Sequence, residues 1–294
     1  MKILITGAGG QLGRELINQG QLKGFSVQAP SEDDMDITDL EKIDRCMAFH
    51  QPEVVINAAA YTQVDKAESE AALAFAVNTT GSANLARMCA KNKIPLVHIS
   101  TDYVFDGQKG RSYLETDAIS PVGVYGRSKA EGEIEIRSHL KEHIILRTSW
   151  LYGIHGHNFA KTMLKLATTK PKIRVVADQY GSPTNAADLA QTILIISDRM
   201  QFNNDVDWGT YHYCGQGVIS WYNFAEKIVG LARLYADVKT TRIEPITTAD
   251  YPTRALRPIY SALDCSRIQK HFGINPKPWQ KSLEITIKEL LVRR

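Results

Sequence analysis

The run Tyr125-Gly126-Arg127-Ser128-Lys129 sets a tyrosine and a lysine four residues apart. On a helix that spacing puts both side chains on one face. A free tyrosine titrates near ~10, too high for ready proton exchange at neutral pH. A neighbouring ammonium favours the phenolate, as does the positive charge of an oxidised nicotinamide. A shift of about three units asks for roughly 4 kcal/mol of differential stabilisation. Tyr125 can then give a proton to a carbonyl oxygen as hydride reaches its carbon. The pair also arises by chance, as a surface tyrosine beside a solvated lysine. Ser100-Thr101-Asp102-Tyr103-Val104-Phe105 supplies a second element. It ends an apolar run, and open α/β sheets bind ligands beyond the carboxyl ends of their strands. There Thr101 can hydrogen-bond a substrate oxygen and share its proton with Tyr125. The plain alternative is that these good strand formers only finish a strand.

A third element is Gly7-Ala8-Gly9-Gly10-Gln11-Leu12-Gly13, directly after Lys2-Ile3-Leu4-Ile5-Thr6. Glycines allow a sharp turn and let a phosphate approach the N–H groups of a helix start. The G-x-x-G-x-x-G spacing in a strand–turn–helix context predicts dinucleotide binding, with Gly7, Gly10 and Gly13 as its glycines. NAD selectivity usually needs a carboxylate at the end of the second strand. Ala29-Pro30-Ser31 stands there, followed by Glu32, Asp33 and Asp34. Arg14, next to the glycine loop, is either a contact for a 2′-phosphate or a plain surface helix residue. The choice between NADH and NADPH is therefore open, leaning to NADPH.

The elements that must position these groups alternate in type. Strands are expected at residues 2–5, 25–29, 53–57, 95–100 and 143–147. Helices are expected from the glycine loop to about Asn18, around Leu40, Ile43 and Met47, from about Glu68 to Lys91, and from Lys129 to His139. The run Asp36-Ile37-Thr38-Asp39 supplies cap residues for the second of these. Short, continuously apolar strands alternating with helices predict a Rossmann-type, doubly wound parallel sheet, α/β in class. After Trp150 the pattern loosens. Strands are expected at 173–176 and 211–214 and helices at 186–197, 221–235 and 279–291, with loops at 153–158 and 179–185. The expectation is a dinucleotide-binding domain over residues 1–150, joined by the helix near 186–198. A smaller, interleaved substrate domain is expected over most of 151–294.

With these motifs in this order, the chain resembles the extended short-chain dehydrogenase/reductase family over nearly its whole length. Further marks are Asn57-Ala58-Ala59-Ala60-Tyr61-Thr62, Val64-Asp65-Lys66-Ala67-Glu68, Arg147-Thr148-Ser149-Trp150, Asn158-Phe159, Asp178-Gln179-Tyr180-Gly181-Ser182-Pro183-Thr184 and Arg257-Pro258. The resemblance implies that Gln11, Leu12, Asp36, Ile37, Ala58, Ala59, Ala60 and Thr62 help line a cofactor site. It implies substrate contacts from Thr62, Val64, Thr101, Asp102, Trp150, Asn158 and Arg257. It implies NAD(P)H-dependent reduction of the 4-keto group of a dTDP-linked 4-keto-6-deoxy sugar, dTDP-4-dehydro-6-deoxy-L-mannose, to dTDP-L-rhamnose. Lys129 would hold the nicotinamide ribose. Each residue also has a plain reading: Asp36 as a helix cap, the alanines as close-packed small residues, Trp150 as core, Arg257 as the partner of a structural carboxylate. The rival readings are a nucleotide-sugar epimerase or 4,6-dehydratase and a regulatory subunit resembling methionine adenosyltransferase beta. Dehydratases commonly carry Asp-Glu after the threonine, where this chain has Asp102-Tyr103.

Composition narrows the rest. The chain has 294 residues, 35 Lys+Arg against 32 Asp+Glu, and 44% hydrophobic residues. A net charge of +3 with scattered basic residues argues against a nucleic-acid partner. No apolar run is long enough to span a bilayer, and the N-terminal stretch is too short for a signal peptide. Cys46, Cys89, Cys214 and Cys265 lie far apart in sequence without zinc spacing. They are expected to be reduced, mostly buried thiols in a cytoplasmic protein, monomer or homodimer. His155-Gly156-His157 has no third ligand at suitable spacing and is expected to form a flexible substrate-side loop rather than a zinc site. Glu15 matches a residue that, in some family members, joins a magnesium-dependent dimer contact. Its possible partners, Asp188 and Glu289, are read like Glu15 as exposed helix carboxylates, and no metal site is predicted.

Overall fold

The computed structural model describes residues 1–202 and 206–292. The first part of the chain forms β1 (Lys2–Thr6), α1 (Gln11–Leu22), β2 (Ser26–Gln28), α2 (Leu40–His50) and β3 (Val54–Asn57). There follow α3 (Val64–Ala67), α4 (Ala71–Phe75), α5 (Gly81–Asn92), β4 (Leu96–Thr101), α6 (Val124–His139) and β5 (His143–Thr148). Then come β6 (Leu151–Tyr152), α7 (Phe159–Thr169), β7 (Lys172–Val176), β8 (Tyr180–Gly181), β9 (Thr184–Asn185), α8 (Ala186–Phe202) and β10 (Gly209–His212). The chain ends with β11 (Ile219–Ser220), α9 (Trp221–Ala232), β12 (Arg242–Ile246), α10 (Ser266–Phe272) and α11 (Trp279–Val292). Residues 203–205 and 293–294, which fall in the expected second unit, lie outside the described residues.

Six strands form one parallel sheet in the order β10-β5-β4-β3-β1-β2. Strand residues point alternately to its two faces. Ile3, Ile5, Val54, Ile56, Val97, Ile144 and Leu146 pack on one face with α1, α8 and α10. Leu4, Val55, Leu96 and Ile145 pack on the other with α2, α5 and α6. Both faces being covered, the strands read as unbroken apolar runs. From β1 the chain turns to β2 on one side and to β3 on the other. The strand order therefore reverses beside β1, opening a crevice at the carboxyl ends of β1 and β3.

A second core gathers Tyr152 of β6, Met163 and Leu164 of α7, Ile173 and Val175 of β7, Phe224 and Ile228 of α9, and Trp279, Leu283 and Ile287 of α11. Strand β12 pairs in parallel with β7 beside it. Between these elements the chain returns to the large sheet as α8 and β10, which is the interleaving expected.

Several boundaries differ from the sequence reading. Helix α6 begins at Val124, five residues before the expected start, so Tyr125 and Lys129 share it. The expected helix from Glu68 to Lys91 is broken into α4 and α5 by a π turn over Ala76–Thr80. The wider turn seats buried Asn78, whose Nδ2 donates to the Tyr61 carbonyl and to Ser128 Oγ. Helices α7 and α10 and strand β12 were not anticipated. The cysteines are free and mostly buried, and Cys214 after β10 and Cys265 before α10 bring their Sγ atoms to 3.6 Å. Among the described residues no helix is long and apolar enough to cross a membrane.

Candidate active site

The glycine loop closes tightly on its neighbours. Gly7 has φ +70°, and a Cβ on it would sit 2.5 Å from the Ala59 nitrogen. A Cβ on Gly13 would sit 2.2 Å from the Gly7 carbonyl oxygen. The loop delivers the chain to α1, whose first turn has no acidic residue and no side-chain cap. Its leading N–H groups are left to an anion, and glycine backbone gives a diphosphate room to approach. The loop therefore fits a dinucleotide by its geometry as well as by its spacing.

A cleft of about 730 Å³ opens at the switch point. Gly7, Gly10, Gln11 and Leu12 line it from β1 and α1. Asp36 and Ile37 line it beyond β2, and Ala58, Ala59, Ala60, Thr62 and Val64 beyond β3. Thr101, Asp102, Tyr125, Lys129 and Trp150 close the other side. Sequence reasoning passed over Tyr103, Ser149, Tyr61 and Gln63, which also line it. Each follows a strand end already singled out, and that adjacency was the signal available. Glu32 lines the cleft, whereas Arg14 donates to the Gly9 carbonyl at 3.2 Å. The cap of α2 is Asp39, which accepts from the Glu41 and Lys42 nitrogens. Asp36 instead accepts from the Thr38 nitrogen and hydroxyl, both at 2.8 Å.

Tyr125 is half-buried, its ring edge-on to Tyr103 with centroids 5.5 Å apart. Burial pushes its hydroxyl up to about 12, with the Thr101 hydroxyl pulling it back and Asp102 adding to the rise. The expected lowering by Lys129 is absent in this state. Lys129 is buried and turns its Nζ toward the Ile99 carbonyl, 2.6 Å away, and toward His98 Nε2, 3.2 Å away. Burial lowers that amine to about 8. A tyrosine held high stays protonated, which suits a proton donor. Asp102 is buried and its carboxyl rises to about 6, against the hydroxyls of Ser261 and Thr101.

Farther along α6, buried Glu133 accepts from Arg147 Nε at 2.8 Å and Nη2 at 2.7 Å, and from Ser100 Oγ at 2.6 Å. This cluster ties α6 to β4 and β5 and so fixes Tyr125 against Thr101. Trp150 takes φ +47° and stacks on Trp221 with centroids 3.4 Å apart. Gly181 fits beneath its indole, where a Cβ would come within 2.5 Å. Trp150 is thus both cleft wall and packed aromatic.

Three expected residues do not line the cleft. Gly13 is a packing glycine. Asn158 caps α7, accepting from the Lys161 nitrogen, while its Nδ2 donates to the Gly153 carbonyl at 2.8 Å. Arg257 is engaged by Asp65, at 2.7 Å and 3.3 Å. The 153–158 loop does not stand free on the substrate side: it leans on the glycine loop, with Gly156 against Gln11. His155 Nε2 lies 3.8 Å from Glu15, which is buried rather than exposed. Asp188 is also covered, bonded to Lys277 and Ser282, and Glu289 is half-buried. Among the described residues no three His, Cys, Asp or Glu gather as a metal site.

A doubly wound parallel sheet, a glycine loop at its switch point and a Tyr-x-x-x-Lys pair facing it define a dinucleotide-dependent oxidoreductase of the short-chain dehydrogenase/reductase type. The family described as RmlD substrate binding domain matches residues 1–292, and the chain belongs to that family. It is 44% identical to dTDP-4-dehydrorhamnose reductase of Aggregatibacter actinomycetemcomitans, over 96% of this chain and 97% of that protein. The crystal structure of a dTDP-4-dehydrorhamnose reductase from Clostridium acetobutylicum superposes with TM-score 0.92 at 39% identity, covering 99% of each chain. That of Bacillus anthracis dTDP-4-dehydrorhamnose reductase in complex with NADP superposes with TM-score 0.90 at 36% identity, covering 98% of this chain and 99% of that one.

Proposed function

We propose that this chain reduces the 4-keto group of dTDP-4-dehydro-6-deoxy-L-mannose to give dTDP-L-rhamnose, using NADPH or NADH. The observation that carries the reading is the convergence of Tyr125, Thr101 and Lys129 on one wall of a cleft whose other wall is the glycine loop. The names of the relatives in dTDP-rhamnose chemistry support the choice of sugar. When bound, the reduced nicotinamide supplies the hydride for the ketone carbon. The N–H groups at the start of α1 hold the diphosphate, Gly7 and Gly10 keep the approach open, and Gly13 lets α1 pack close against the loop. Ala58, Ala59 and Ala60 form a floor of small residues, and Lys129 holds the ribose. Thr101 orients the ketone oxygen, and Tyr125 hands it a proton as negative charge develops. Thr62, Val64, Asp102 and Trp150 face the sugar. Residues 1–150 with the helix at 186–198 carry the dinucleotide, and most of 151–294 frames the sugar nucleotide.

Asp102-Tyr103 lacks the Asp-Glu pair of a dehydratase, which favours simple reduction. The test is NAD(P)H absorbance followed against a panel of dTDP- and UDP-linked 4-keto sugars. Oxidation of the cofactor with the dTDP-4-keto-6-deoxy sugar is expected. Turnover confined to UDP sugars, or none with any 4-keto sugar, refutes the reading.

A further inference from the structure

A line of polar side chains crosses the apolar sheet beneath the cleft. Strand register sets Thr6 of β1 beside Asn57 of β3, and Asn57 beside His98 of β4. All three are buried, and the line ends on Lys129 of α6. Its protons can be assigned from donors and acceptors alone. The Ala59 backbone N–H donates to Asn57 Oδ1 at 3.1 Å, and Thr6 Oγ1 donates to the same atom at 2.7 Å. A backbone N–H can only donate, so that atom is the amide oxygen. The amide nitrogen then faces His98 Nδ1, 3.0 Å away. An amide nitrogen accepts nothing, so Nδ1 is the bare nitrogen and a neutral imidazole carries its proton on Nε2.

That proton points at Lys129 Nζ, 3.2 Å away. An ammonium has no lone pair to receive it, whereas an amine has one. As –NH₂, Lys129 donates to the Ile99 carbonyl and accepts from His98, and every atom in the line is satisfied. We propose that His98 is a positioning residue that favours the uncharged amine of Lys129 in the free protein, so that in alkaline solution dinucleotide binding draws a proton from solvent onto that nitrogen. The proton balance is simple: amine, proton and dinucleotide give the ammonium complex. The proposal rests on the dinucleotide reading above.

The surrounding groups agree with this state. Burial holds His98 far below the ordinary histidine value, so it takes no second proton. Glu133, one turn on along α6, favours a charged lysine, but it is committed to Arg147 of β5. His143 of β5 is itself lowered by burial. Tyr125 is raised, with Asp102 beside it, and gives no opposite charge. The turn holding Asn78 and the strand holding Thr6 bring no titratable side chain to the line.

The experiment is calorimetric titration of the intact protein with NADPH in buffers of different ionisation enthalpy, from pH 7 to 9.5. The 2′-phosphate, titrating near ~6, is silent in that window. Proton uptake should be slight at pH 7, about half a proton near pH 8 and close to one at the top. Binding with no uptake across the range overturns the proposal, whereas no binding at all overturns the dinucleotide reading instead. Asn57→Asp supplies a second arm. A carboxylate there accepts from Nδ1–H, reverses the tautomer and presents a lone pair to an ammonium, so uptake should vanish. Should that variant not fold, nitrogen NMR of His98 in the unaltered protein decides: a proton on Nε2 supports the proposal and one on Nδ1 refutes it.

Discussion

At the scale of single residues, the sharpest consequence concerns the Tyr125 hydroxyl. Its high value in the free protein means that it enters the reaction as an acid, so removing the hydroxyl removes the proton donor and little else. Tyr125→Phe should cut turnover by about 10²–10⁴-fold, the usual worth of a general acid. Dinucleotide affinity, measured by direct titration, should stay within a few-fold because the glycine loop is untouched. Near-normal reduction by the variant would show that another group delivers the proton. Residues of this kind were legible in the sequence because their spacing is local: a glycine run, or two side chains one helical turn apart. For Arg257 a carboxylate partner was an open reading, but which one was not legible, because Asp65 lies 192 positions away and nothing near Arg257 announces it. His98 escaped notice for the same reason. Asn57 and Lys129 become its neighbours only through strand register and helix packing.

At the scale of elements, α6 is the part that turns sequence into geometry. It lies so close to its surroundings that two of its glycines have no room for a methyl group. A Cβ on Gly132 would come within 2.2 Å of the Asn78 carbonyl, and one on Gly126 within 2.2 Å of the Tyr103 carbonyl. Alanine raises helix propensity by about 1 kcal/mol over glycine, yet backbone oxygen cannot step aside as a side chain does. Gly132→Ala should therefore destabilise the fold by roughly 1–3 kcal/mol, the cost of overpacking, seen as a lower denaturant midpoint. A stabilised variant would mean that α6 and the π turn part freely. The end of β2 makes a second element-scale prediction. Ala29-Pro30-Ser31 offers no carboxylate of its own, Glu32 only lines the cleft, and Arg14 is held by the Gly9 carbonyl. Neither a strong selector for the ribose hydroxyl nor one for the 2′-phosphate stands there. NADH and NADPH should both support reduction, with kcat/KM values within about 1000-fold, or roughly 4 kcal/mol. Helices α7 and α10 and strand β12 show where element reading failed. Phe159, Ala160, Met163, Leu164 and Ala167 repeat at helical spacing behind the cap Asn158, but the glycines and histidines before them dominated the segment. Strand β12 is half-exposed and contains Pro245, so its pattern resembles a loop until β7 pairs with it.

At the scale of the whole molecule, the titratable groups buried in the fold set how it responds to acid. His98 and His212 are wholly buried and neutral. His212 donates from Nδ1 to the Tyr113 carbonyl and accepts from Arg147 at Nε2, and burial holds it down to about 3. In the unfolded chain both rings titrate near ~6.5. Below that pH the unfolded state binds two protons that the native state refuses, and stability falls as pH falls. Asp102 has the opposite sign. Its carboxyl is raised to about 6 from an ordinary 3.8, so between those values the native state holds a proton that the unfolded chain releases. Acid therefore strengthens the fold at Asp102 while it weakens it at the two histidines. Two protons gained on unfolding against one given up leave a net of one. Between pH 6 and 4 the unfolding free energy should thus drop by about 1.4 kcal/mol per pH unit. Buried His143, lowered in the same direction, steepens the slope, while Glu115, raised by burial, offsets part of it. Urea midpoints measured at half-unit intervals from pH 7 to 4.5 read this directly. A flat or rising profile below pH 6 would show that these rings are protonated inside the fold.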